Sequence, residues 1–454
     1  MFNGFGFKLH REAFFMGKNL LITWNNNYFY LTMGGIHLRD AVNIIFMILQ
    51  FIIFVFGLYY FTTSIFGLAE KLFNKPGKPH MSEKKFAIFV PAHNEGVVID
   101  NIIHNLDKLN YPKDLYDVFV IADNCTDNTA AVAREAGAMV LERFNKKETG
   151  KGFALQWAFA ETLYKEDNDY DVAVIFDADN LVNKSFLKEM NNKLCDGHKV
   201  IQGYIDSKNP NDSWITASYS MAFWSANRLF QSARYYLGLS CEIGGTGFCM
   251  DVNVLKEIGW DATSLVEDLE FTMKLNMSGY RVAWANEAVI YDEKPLTLAA
   301  SWNQRRRWMQ GFADVCSRYF FKLIIMGIKK REMALIDCAI YTLQPFILVL
   351  GGLILVMPVI NSVAFDGEMF LLTSNVAPDF FIVYGIVQLL MLPISLFYDK
   401  KFSYRMFLFY PIYLMYCLTW IPIAAQGIFM MKQREWSHTV HTRRVTIQEI
   451  QEIE

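Results

Sequence analysis

Four long apolar stretches and one long mixed region divide the chain. The first stretch, Ala41–Ala69, contains no charged residue and is long enough to cross a bilayer as a helix. Three more apolar stretches lie at about 333–360, 379–398 and 405–431. We therefore predict a transmembrane helix within 39–70 and a transmembrane region over 332–431.

Short apolar runs alternate with amphipathic segments between residues 82 and 312. The runs are rich in β-branched residues, which is typical of parallel strands covered on both faces. Strands are predicted at Phe86–Val90, Val118–Ile121, 138–141 and Val172–Phe176, and helices at 97–109, 126–136, 152–163 and about 265–277. This alternation predicts an α/β domain with a mostly parallel sheet and right-handed crossovers.

Basic residues at the ends of the apolar stretches predict the orientation. Lys71, Lys75 and Lys78 follow the first stretch, so the 82–312 domain is expected on the cytoplasmic side. The tail, 432–454, is also basic, although three further spans would place it outside. Either the last stretch is broken or re-entrant, or the charge rule fails here; a cytoplasmic tail is the preferred interpretation.

Two further segments adjoin the predicted membrane helices. Residues 313–331 mix lysines and arginines with aromatic and aliphatic side chains, which predicts an amphipathic helix at the membrane surface. The N-terminal segment, 1–38, is aromatic and polar without a clear period, and we interpret it as interfacial. Asp337, an acid near the start of the second apolar stretch, is expected to lie at the interface or to face a channel, because buried acids in membranes are usually functional or paired.

The composition excludes several classes of protein. Hydrophobic residues make up 53% of the 454 residues and charged residues 20%, which fits a water-soluble domain joined to membrane helices. The net charge of -3 lacks the basic bias of a nucleic-acid-binding protein. The seven cysteines are scattered without a Cys-x-x-Cys pair, so we expect reduced thiols instead of disulfides or a zinc site.

Aspartates follow two of the predicted strands. Asp123 ends the second strand, and Asp177 and Asp179 follow the fourth. Ligands of open α/β sheets bind at the carboxyl ends of the strands, where Asp123 could accept a nucleobase N–H or a ribose hydroxyl. Asp177 and Asp179 could share one Mg²⁺ or Mn²⁺ with a diphosphate. All three aspartates could instead cap a turn or a helix.

Two glycine-flanked segments could approach a substrate closely. Lys151 lies between glycines at a predicted helix start, where an ammonium group can reach a phosphate. The Gly244–Gly247 segment could let a substrate contact the backbone. Taken alone, the first segment is better explained as a simple turn, and a hairpin or bulge is the alternative for the second.

Two more motifs follow in the second half of the domain. Asp268 begins a helix, where it could act as a general base for a hydroxyl group or serve only the helix dipole. In Gln304–Trp308, arginines could neutralise a diphosphate and the indole could stack on a sugar ring. A basic membrane-surface helix with an anchoring tryptophan is the alternative.

Taken together, these motifs resemble those of the membrane-integrated family 2 inverting glycosyltransferases, such as cellulose, hyaluronan, chitin and poly-N-acetylglucosamine synthases. The final motif fits the pattern Q-x-x-R-W. Val266 departs from the family, since many relatives have threonine there. The matching pieces are Pro91–Glu95, Asp123, Lys151, Asp177–Asp179, Glu267–Asp268 and Gln304–Trp308. The resemblance implies a GT-A (Rossmann-like) cytosolic domain flanked by transmembrane helices.

The resemblance also implies a role for each site residue. Pro91, Glu95 and Asp123 would hold uridine, and Lys151 would lie near the ribose and phosphates. Asp177 and Asp179 would carry the diphosphate and its Mg²⁺ or Mn²⁺. Asp268 would be the catalytic base. The acceptor and product side would comprise Gly245, Glu267, Gln304, Arg307 and Trp308, with Arg307 also stabilising the leaving diphosphate.

The implied activity is transfer of a sugar from a UDP-sugar to a growing polysaccharide with a β-linkage, processively and coupled to export. The expected location is the plasma membrane, with membrane lipids as partners and without nucleic acid. The alternative is a single transfer to a lipid, as in ceramide and diacylglycerol glucosyltransferases. Several aromatic residues could either guide the product or anchor the protein: Trp214, Phe223, Trp224, Tyr235, Tyr236 and Trp302.

Overall fold

The computed structural model describes residues 13–15, 20–25, 28–33, 36–70, 79–261, 264–364 and 370–433, with residues 367, 447 and 449. Side chains are described from Asp40 onward. The predictions based on Lys71, Lys75, Lys78 and most of the 432–454 tail lie outside the described residues. Residues 1–59 and 350–386 belong to one compact unit, and 60–349 and 387–454 to a second.

A small antiparallel sheet precedes the first long helix. Its strands are β1 Ala13–Phe15, β2 Leu20–Asn25, β3 Tyr28–Met33 and β4 Ile36–His37, paired in that order. These strands are not expected from the sequence, because this segment shows no sustained alternation of apolar and polar residues.

An eight-stranded sheet forms the centre of the second unit. Its strands are β5 Phe86–Ala92, β6 Tyr116–Asp123, β7 Met139–Arg143, β8 Val172–Ile175, β9 Leu181–Val182, β10 Val200–Ser207, β11 Phe248–Asp251 and β12 Val282–Asp292. The order is β7-β6-β5-β8-β11-β10-β12-β9. Strands β5 to β8 are parallel, as predicted, whereas β11 runs antiparallel to both neighbours and β9 antiparallel to β12. The sheet is therefore mixed.

Helices cover both faces of this sheet. They are α2 Ile99–Leu106, α3 Thr129–Glu135, α4 Lys151–Thr162, α5 Phe186–Cys195, α6 Trp214–Ala226, α7 Ala233–Tyr236, α8 Val252–Ile258 and α9 Glu267–Met277, with a 3-10 turn at Lys113–Leu115 and a π-helical turn at Asn227–Ser232. Successive strand residues point to opposite faces. Phe89 accordingly packs with Phe119 and Phe159 on one face, while Ile88 packs with Ile102 on the other. Both faces are buried, which explains the continuous apolar runs.

One long helix, α10 Leu298–Lys330, contains both the Gln304–Trp308 motif and the predicted amphipathic segment. Thr297 caps its start by accepting a hydrogen bond from the N–H of Ala300. Phe321, Ile325 and Ile328 are exposed at helical spacing in its second half. This apolar stripe fits the predicted contact with a membrane surface.

Four helical segments are long and apolar enough to cross a membrane: Asp40–Leu68, Gln344–Val363, Pro378–Tyr398 and Tyr404–Phe429. The corresponding helices are α1 Leu38–Leu68, α12 Gln344–Ala364, α14 Pro378–Tyr398 and, for the last segment, α15 Tyr404–Leu418 with α16 Trp420–Phe429; α13 is Leu372–Asn375. The predicted start of the second span at 333 is wrong, since α11 Met333–Thr342 is a separate helix.

The last apolar segment is interrupted at Thr419, although Tyr404–Phe429 as a whole is long and apolar enough to cross a membrane. The helix stops at Leu418 and resumes at Trp420. Pro422 has no N–H to donate to the carbonyl of Leu418, so the helix loses a hydrogen bond at that point.

Candidate active site

Asp123 lies at the carboxyl end of β6 in an ion pair that the sequence analysis missed. Arg143, at the end of neighbouring β7, donates from Nη1 to Asp123 Oδ1 across 2.7 Å and to the carbonyl of Glu148 across 2.8 Å. Both side chains are buried. Asn124 follows in the left-handed region with φ 52°, and its amide also donates to Asp123 Oδ1. These donors fix the carboxylate through one oxygen.

The predicted Pro91–Glu95 turn adjoins Asp123. The Nδ1 of His93 lies 2.7 Å from the carbonyl oxygen of Asp123. Asn94 adopts φ 56°, and its side chain accepts a hydrogen bond from the N–H of Thr126. The N–H of Glu95 donates to Thr129 across 2.9 Å. Hydrogen bonds thus connect the carboxyl ends of β5 and β6. This agrees with the prediction that both strands end at the same edge of the sheet.

Lys151 connects the first half of the site with the second. It begins α4 and its ammonium group donates to Asp177, which follows β8, and to the carbonyl of Gly245 across 2.7 Å. The N–H of Asp177 donates to Thr246 Oγ1 across 3.0 Å. Burial works against the charge of Lys151, but the carboxylates of Asp177, Glu267 and Asp268 raise its pKa, so it stays cationic.

Asp179 is buried behind Asp177 and is held by the ends of β10 and β12. Its Oδ2 accepts the N–H of Glu293 across 3.2 Å, and its backbone carbonyl accepts from the ammonium of Lys208. Asn180 reaches Asp292, whose other oxygen pairs with Lys294 across 2.8 Å. Lys208 and Asp292 lie at the ends of β10 and β12. This position is the one sequence signal that could have indicated them as supporting residues.

The two aspartates fit a divalent cation that shares its ligands with a substrate. Within the described ranges, no group of three or more His, Cys, Asp or Glu could hold a metal ion. Asp177 and Asp179 nevertheless offer hard oxygen ligands, and the Lys151 ammonium already occupies a cation position on Asp177. Mg²⁺ and Mn²⁺ commonly use one or two carboxylates and take further ligands from phosphates and water.

Asp268 stands at the start of α9 beside the Gly244–Gly247 segment. A Cβ on Gly245 would lie 3.0 Å from Asp268 Oδ2, which is closer than most Cβ contacts, and its φ of 81° also favours glycine. Removal from water and then the negative charge of Glu267 raise the pKa of Asp268 to about 7, while Lys151 and Arg307 act in the opposite direction. A carboxyl with this pKa is suited to general base catalysis near neutral pH.

The Gln304–Trp308 motif faces an aromatic cluster. Gln304 accepts a hydrogen bond from the hydroxyl of Tyr219 across 2.6 Å. The ring of Trp308 lies 6.1 Å from Tyr219, 6.3 Å from Phe223 and 6.5 Å from Trp420 of α16, measured between centroids. The predicted acceptor residue therefore lies where α6 and the last apolar segment meet.

The arginines of this motif have separate environments. Arg305 is fully buried and donates to Thr419, at the break between α15 and α16, with its guanidinium over the ring of Tyr416. Arg307 is close enough to Asp268 to lower its pKa. Arg307 is thus the arginine that the structure brings towards the base.

Some aromatic residues considered for a product path are structural instead. Trp224 is buried and donates to Asp206 across 2.6 Å. Tyr235 contacts His198 and Lys193 at the other edge of the sheet. Trp302 donates to Gln426 across 2.9 Å, and Trp214 lies near Tyr416, so these two border the last apolar segment.

Residues 83–311, about half of the chain, match Glycosyltransferase like family 2, and the chain belongs to this family. It is 27% identical over 279 residues to the probable glycosyltransferase YdaM of Bacillus subtilis, covering 59% of this chain and 64% of the relative. It is 27% identical over 238 residues to the beta-monoglucosyldiacylglycerol synthase of a Synechocystis species, covering 49% and 47%. It is 24% identical over 290 residues to the poly-beta-1,6-N-acetyl-D-glucosamine synthase of Staphylococcus epidermidis, covering 62% and 68%.

The chain spans about half to two thirds of the length of these curated relatives. Among solved structures, it is similar to the mannosyltransferase PcManGT from Pyrobaculum calidifontis, in complex with GDP-Man and Mn²⁺. The TM-score is 0.54 at 17% identity, covering 85% of this chain and 100% of the other. The domain of this family 2 chain has the GT-A fold, and its four apolar helical segments fit a membrane-integrated protein.

Proposed function

We propose that the protein is a membrane-bound inverting glycosyltransferase that moves a sugar from a UDP-sugar to a growing polysaccharide with a β-linkage, processively and coupled to export. One observation carries the proposal: Lys151 and Asp268 meet at Gly245. The carbonyl of Gly245 accepts from Lys151, and a Cβ added to Gly245 would lie 3.0 Å from Oδ2 of Asp268. This arrangement puts a cation for the diphosphate beside a base for the acceptor.

The transfer is a single displacement at the anomeric carbon. Asp268 takes the proton of the acceptor hydroxyl, and that oxygen forms the new C–O bond. The bond between the anomeric carbon and the diphosphate oxygen breaks on the opposite face, so the configuration inverts. Lys151 and Arg307 stabilise the charge that develops on the leaving diphosphate.

Asp177 and Asp179 would hold Mg²⁺ or Mn²⁺, which would supply positive charge to the diphosphate. The solved mannosyltransferase is in complex with GDP-Man and Mn²⁺. Lys208 and the N–H of Glu293 hold Asp179 in place, and Lys151 orients Asp177. These contacts preorganise both carboxylates before the donor binds.

Asp123 is the proposed base-recognition residue of the donor site. Arg143 and Asn124 both donate to its Oδ1, which leaves Oδ2 for the N–H of a uracil ring. Guanine also presents a ring N–H, and the solved mannosyltransferase binds GDP-Man. A competition assay between UDP and GDP for the purified protein therefore belongs with the donor test.

The polysaccharide product is supported by two observations. The alignment with the poly-N-acetylglucosamine synthase covers 290 residues and so extends beyond the 83–311 match. Trp308 also contacts Trp420 from the last apolar segment, which suits an acceptor chain that leaves along the membrane helices. The alternative is a glycolipid product, favoured by the 27% identity with beta-monoglucosyldiacylglycerol synthase.

The proposed location is the plasma membrane, with several spans and a cytoplasmic catalytic domain. A cytoplasmic domain has access to nucleotide sugars, and the exposed Phe321, Ile325 and Ile328 would contact membrane lipids. The acceptor would be a glycan or a lipid, and nucleic acid is not an expected partner.

Full-length protein in lipid nanodiscs, given radiolabelled UDP-glucose or UDP-N-acetylglucosamine with Mn²⁺, tests the proposal. A high-molecular-weight product that elutes early from a size-exclusion column and is cleaved by a β-specific glycosidase is expected. An organic-soluble product carrying one sugar would support the glycolipid alternative. Absence of transfer from every UDP-sugar and GDP-sugar would refute both.

A further inference from the structure

The π-helical turn Asn227–Ser232 joins α6 to α7. It forms ion pairs and close packing contacts with residues at the ends of the apolar helices. Arg228 pairs with Glu70, two residues after α1, and with Asp399, directly after α14. All three side chains are buried. Gly67 in the last turn of α1 lies so close that a Cβ there would be 2.1 Å from the carbonyl oxygen of Arg228. π-Helical turns often mark functional positions.

Arg234, two residues after this turn, makes a second buried connection. Its Nε and Nη2 donate to the two oxygens of Asp337 in α11 across 2.8 and 3.0 Å, and both side chains are fully buried. Asp337 is thus a paired acid, as the sequence analysis considered. The residues 228–234 therefore connect to positions adjoining three of the four apolar segments.

The same turn holds the segment that leads to Gly245. Gln231 donates from Nε2 to the carbonyl of Glu242 and accepts the N–H of Glu242 at Oε1, both across 2.9 Å. The carboxyl oxygens of Glu242 have no hydrogen-bond partner within the part of the chain that the structure describes. Residue 242 is therefore held through its backbone, by Gln231, and not through its carboxyl group.

Two other side chains hold the residues between Glu242 and Gly247. Thr272 of α9 accepts the N–H of Ile243 across 3.1 Å, and Gln202 of β10 accepts the N–H of Gly244 across 2.8 Å. Gly245 then meets both Lys151 and Asp268. Of the three side chains that hold this segment, Gln231 is the one that lies in the π-helical turn, which is bound to Glu70 and Asp399 through Arg228.

We propose that Gln231 is a positioning residue for sugar transfer. Its hydrogen bonds to the backbone of Glu242 keep Gly245 beside Asp268. The ion pairs of Arg228 connect the turn that carries Gln231 to the ends of the membrane helices. The inference rests on the proposed function, since it concerns the site formed by Asp268, Gly245 and Lys151. A displacement of about 1 Å at a reacting group costs roughly 100-fold in rate. Loss of the hold is therefore expected to lower kcat, while Asp123 and the donor pocket stay intact.

The test compares Gln231→Met, Asp399→Asn, their double variant and the control Ala226→Ser in full-length protein in nanodiscs. Ala226 is exposed at the end of α6. Gln231→Met keeps the side-chain volume and removes both hydrogen bonds. We expect kcat to fall about 10-fold or more, KM for the UDP-sugar to change less than about 2-fold, and the acid limb of the kcat profile to move.

Asp399→Asn weakens the ion pair between Asp399 and Arg228, which anchors the turn that carries Gln231. It is therefore expected to lower kcat by itself and to have little further effect in the Gln231→Met background. The inference would be overturned if the fold-losses of kcat in the two single variants multiplied in the double variant. It would also be overturned if Gln231→Met kept the kcat of the wild type. If Gln231→Met does not fold, as judged by UDP binding, Gln231→Asn tests the same contact with a shorter amide. Inactive wild-type protein would refute the proposed function instead, so the two failures are distinguishable.

Discussion

Arg143 donates a hydrogen bond to Asp123 across 2.7 Å at the adjoining ends of two parallel strands, and both side chains are withdrawn from water. Removal of one partner of such a pair leaves an uncompensated buried charge, which costs about 3–5 kcal/mol. Arg143→Met is therefore expected to lower the melting temperature and to weaken UDP binding about 10-fold or more. Calorimetry with UDP measures both effects.

The control for this variant is Arg134→Met, which breaks an exposed pair with Glu142. Exposed pairs contribute about 0–1 kcal/mol, so UDP affinity should be unchanged. The double variant Asp123→Asn with Arg143→Met should be more stable than Arg143→Met alone, because no buried charge is left unpaired. Equal UDP affinity in Arg143→Met and wild type would contradict the assigned role of this pair.

Asp268 predicts a particular dependence of activity on pH. Because its pKa is raised to about 7 in the ligand-free protein and a general base must be ionised, kcat/KM should fall as the pH drops through 7. Asp268→Asn should lose about 100- to 10,000-fold in kcat. A pH profile of kcat/KM, taken at donor concentrations well below KM, measures the first effect, and product formation over long incubation measures the second.

The same residue predicts a stability effect of opposite sign. An acid whose folded pKa is above its unfolded pKa binds more protons in the folded state between the two values, so stability falls as pH rises through that window. For Asp268 the window runs from its unfolded value up to about 7. At pH 8, Asp268→Asn should therefore melt no lower than wild type while being inactive. A lower melting temperature would indicate that the ionised carboxylate stabilises the fold.

Gly311 and Val266 predict a packing effect next to the base. A Cβ on Gly311 in α10 would lie 2.4 Å from Cγ2 of Val266, the residue before α9. Gly311→Ala should therefore cost about 1–3 kcal/mol by overpacking, although alanine is the better helix former. Val266→Ala should restore part of the melting temperature lost in Gly311→Ala, because it removes the two Cγ atoms but leaves the Cβ of residue 266 at 3.0 Å. A Gly351→Ala control, with open space around its Cβ, should be neutral or stabilising.

Asp177 and Asp179 predict dependence on a divalent cation. Chelation by EDTA should abolish transfer, and Mn²⁺ or Mg²⁺ should restore it. Mn²⁺ bound in the presence of UDP, followed by electron paramagnetic resonance, should be lost in Asp179→Asn and weakened in Asp177→Asn. Asp196→Asn, at the opposite edge of the sheet, serves as the control. Full Mn²⁺ binding in Asp179→Asn would remove it from the proposed ligands.

The local features of the fold were readable from the sequence because they depend on neighbouring residues. The apolar runs at Phe86–Val90 and Val172–Phe176 predicted buried parallel strands, and the aspartates that follow β6 and β8 predicted a shared edge. The start of the second span was misplaced despite a local signal. Pro345 cannot donate to the carbonyl of Tyr341, which favours a helix end before Gln344.

The remaining features depend on contacts between distant parts of the chain. Phe248–Asp251 is a short apolar run whose direction in the sheet cannot be inferred from its residues, so the antiparallel β11 was missed. Arginine and glutamine side chains are exposed in most proteins. Arg143 and Gln231 are buried here because of their partners elsewhere in the fold. Supporting residues of a site therefore become visible only when the strands and helices are assembled.

The reversed strand β11 has a practical consequence for work on this enzyme. Because it begins where its neighbours end, it brings Gly245 to the catalytic edge and leaves the opposite edge for connections such as the turn before β10. Gly197 in that turn has φ 96° and open space around its Cβ. An epitope or fluorophore inserted at Gly197 would thus lie at the opposite ends of the strands from the site that contains Asp268, and would report on the protein in cells without touching the proposed reacting groups.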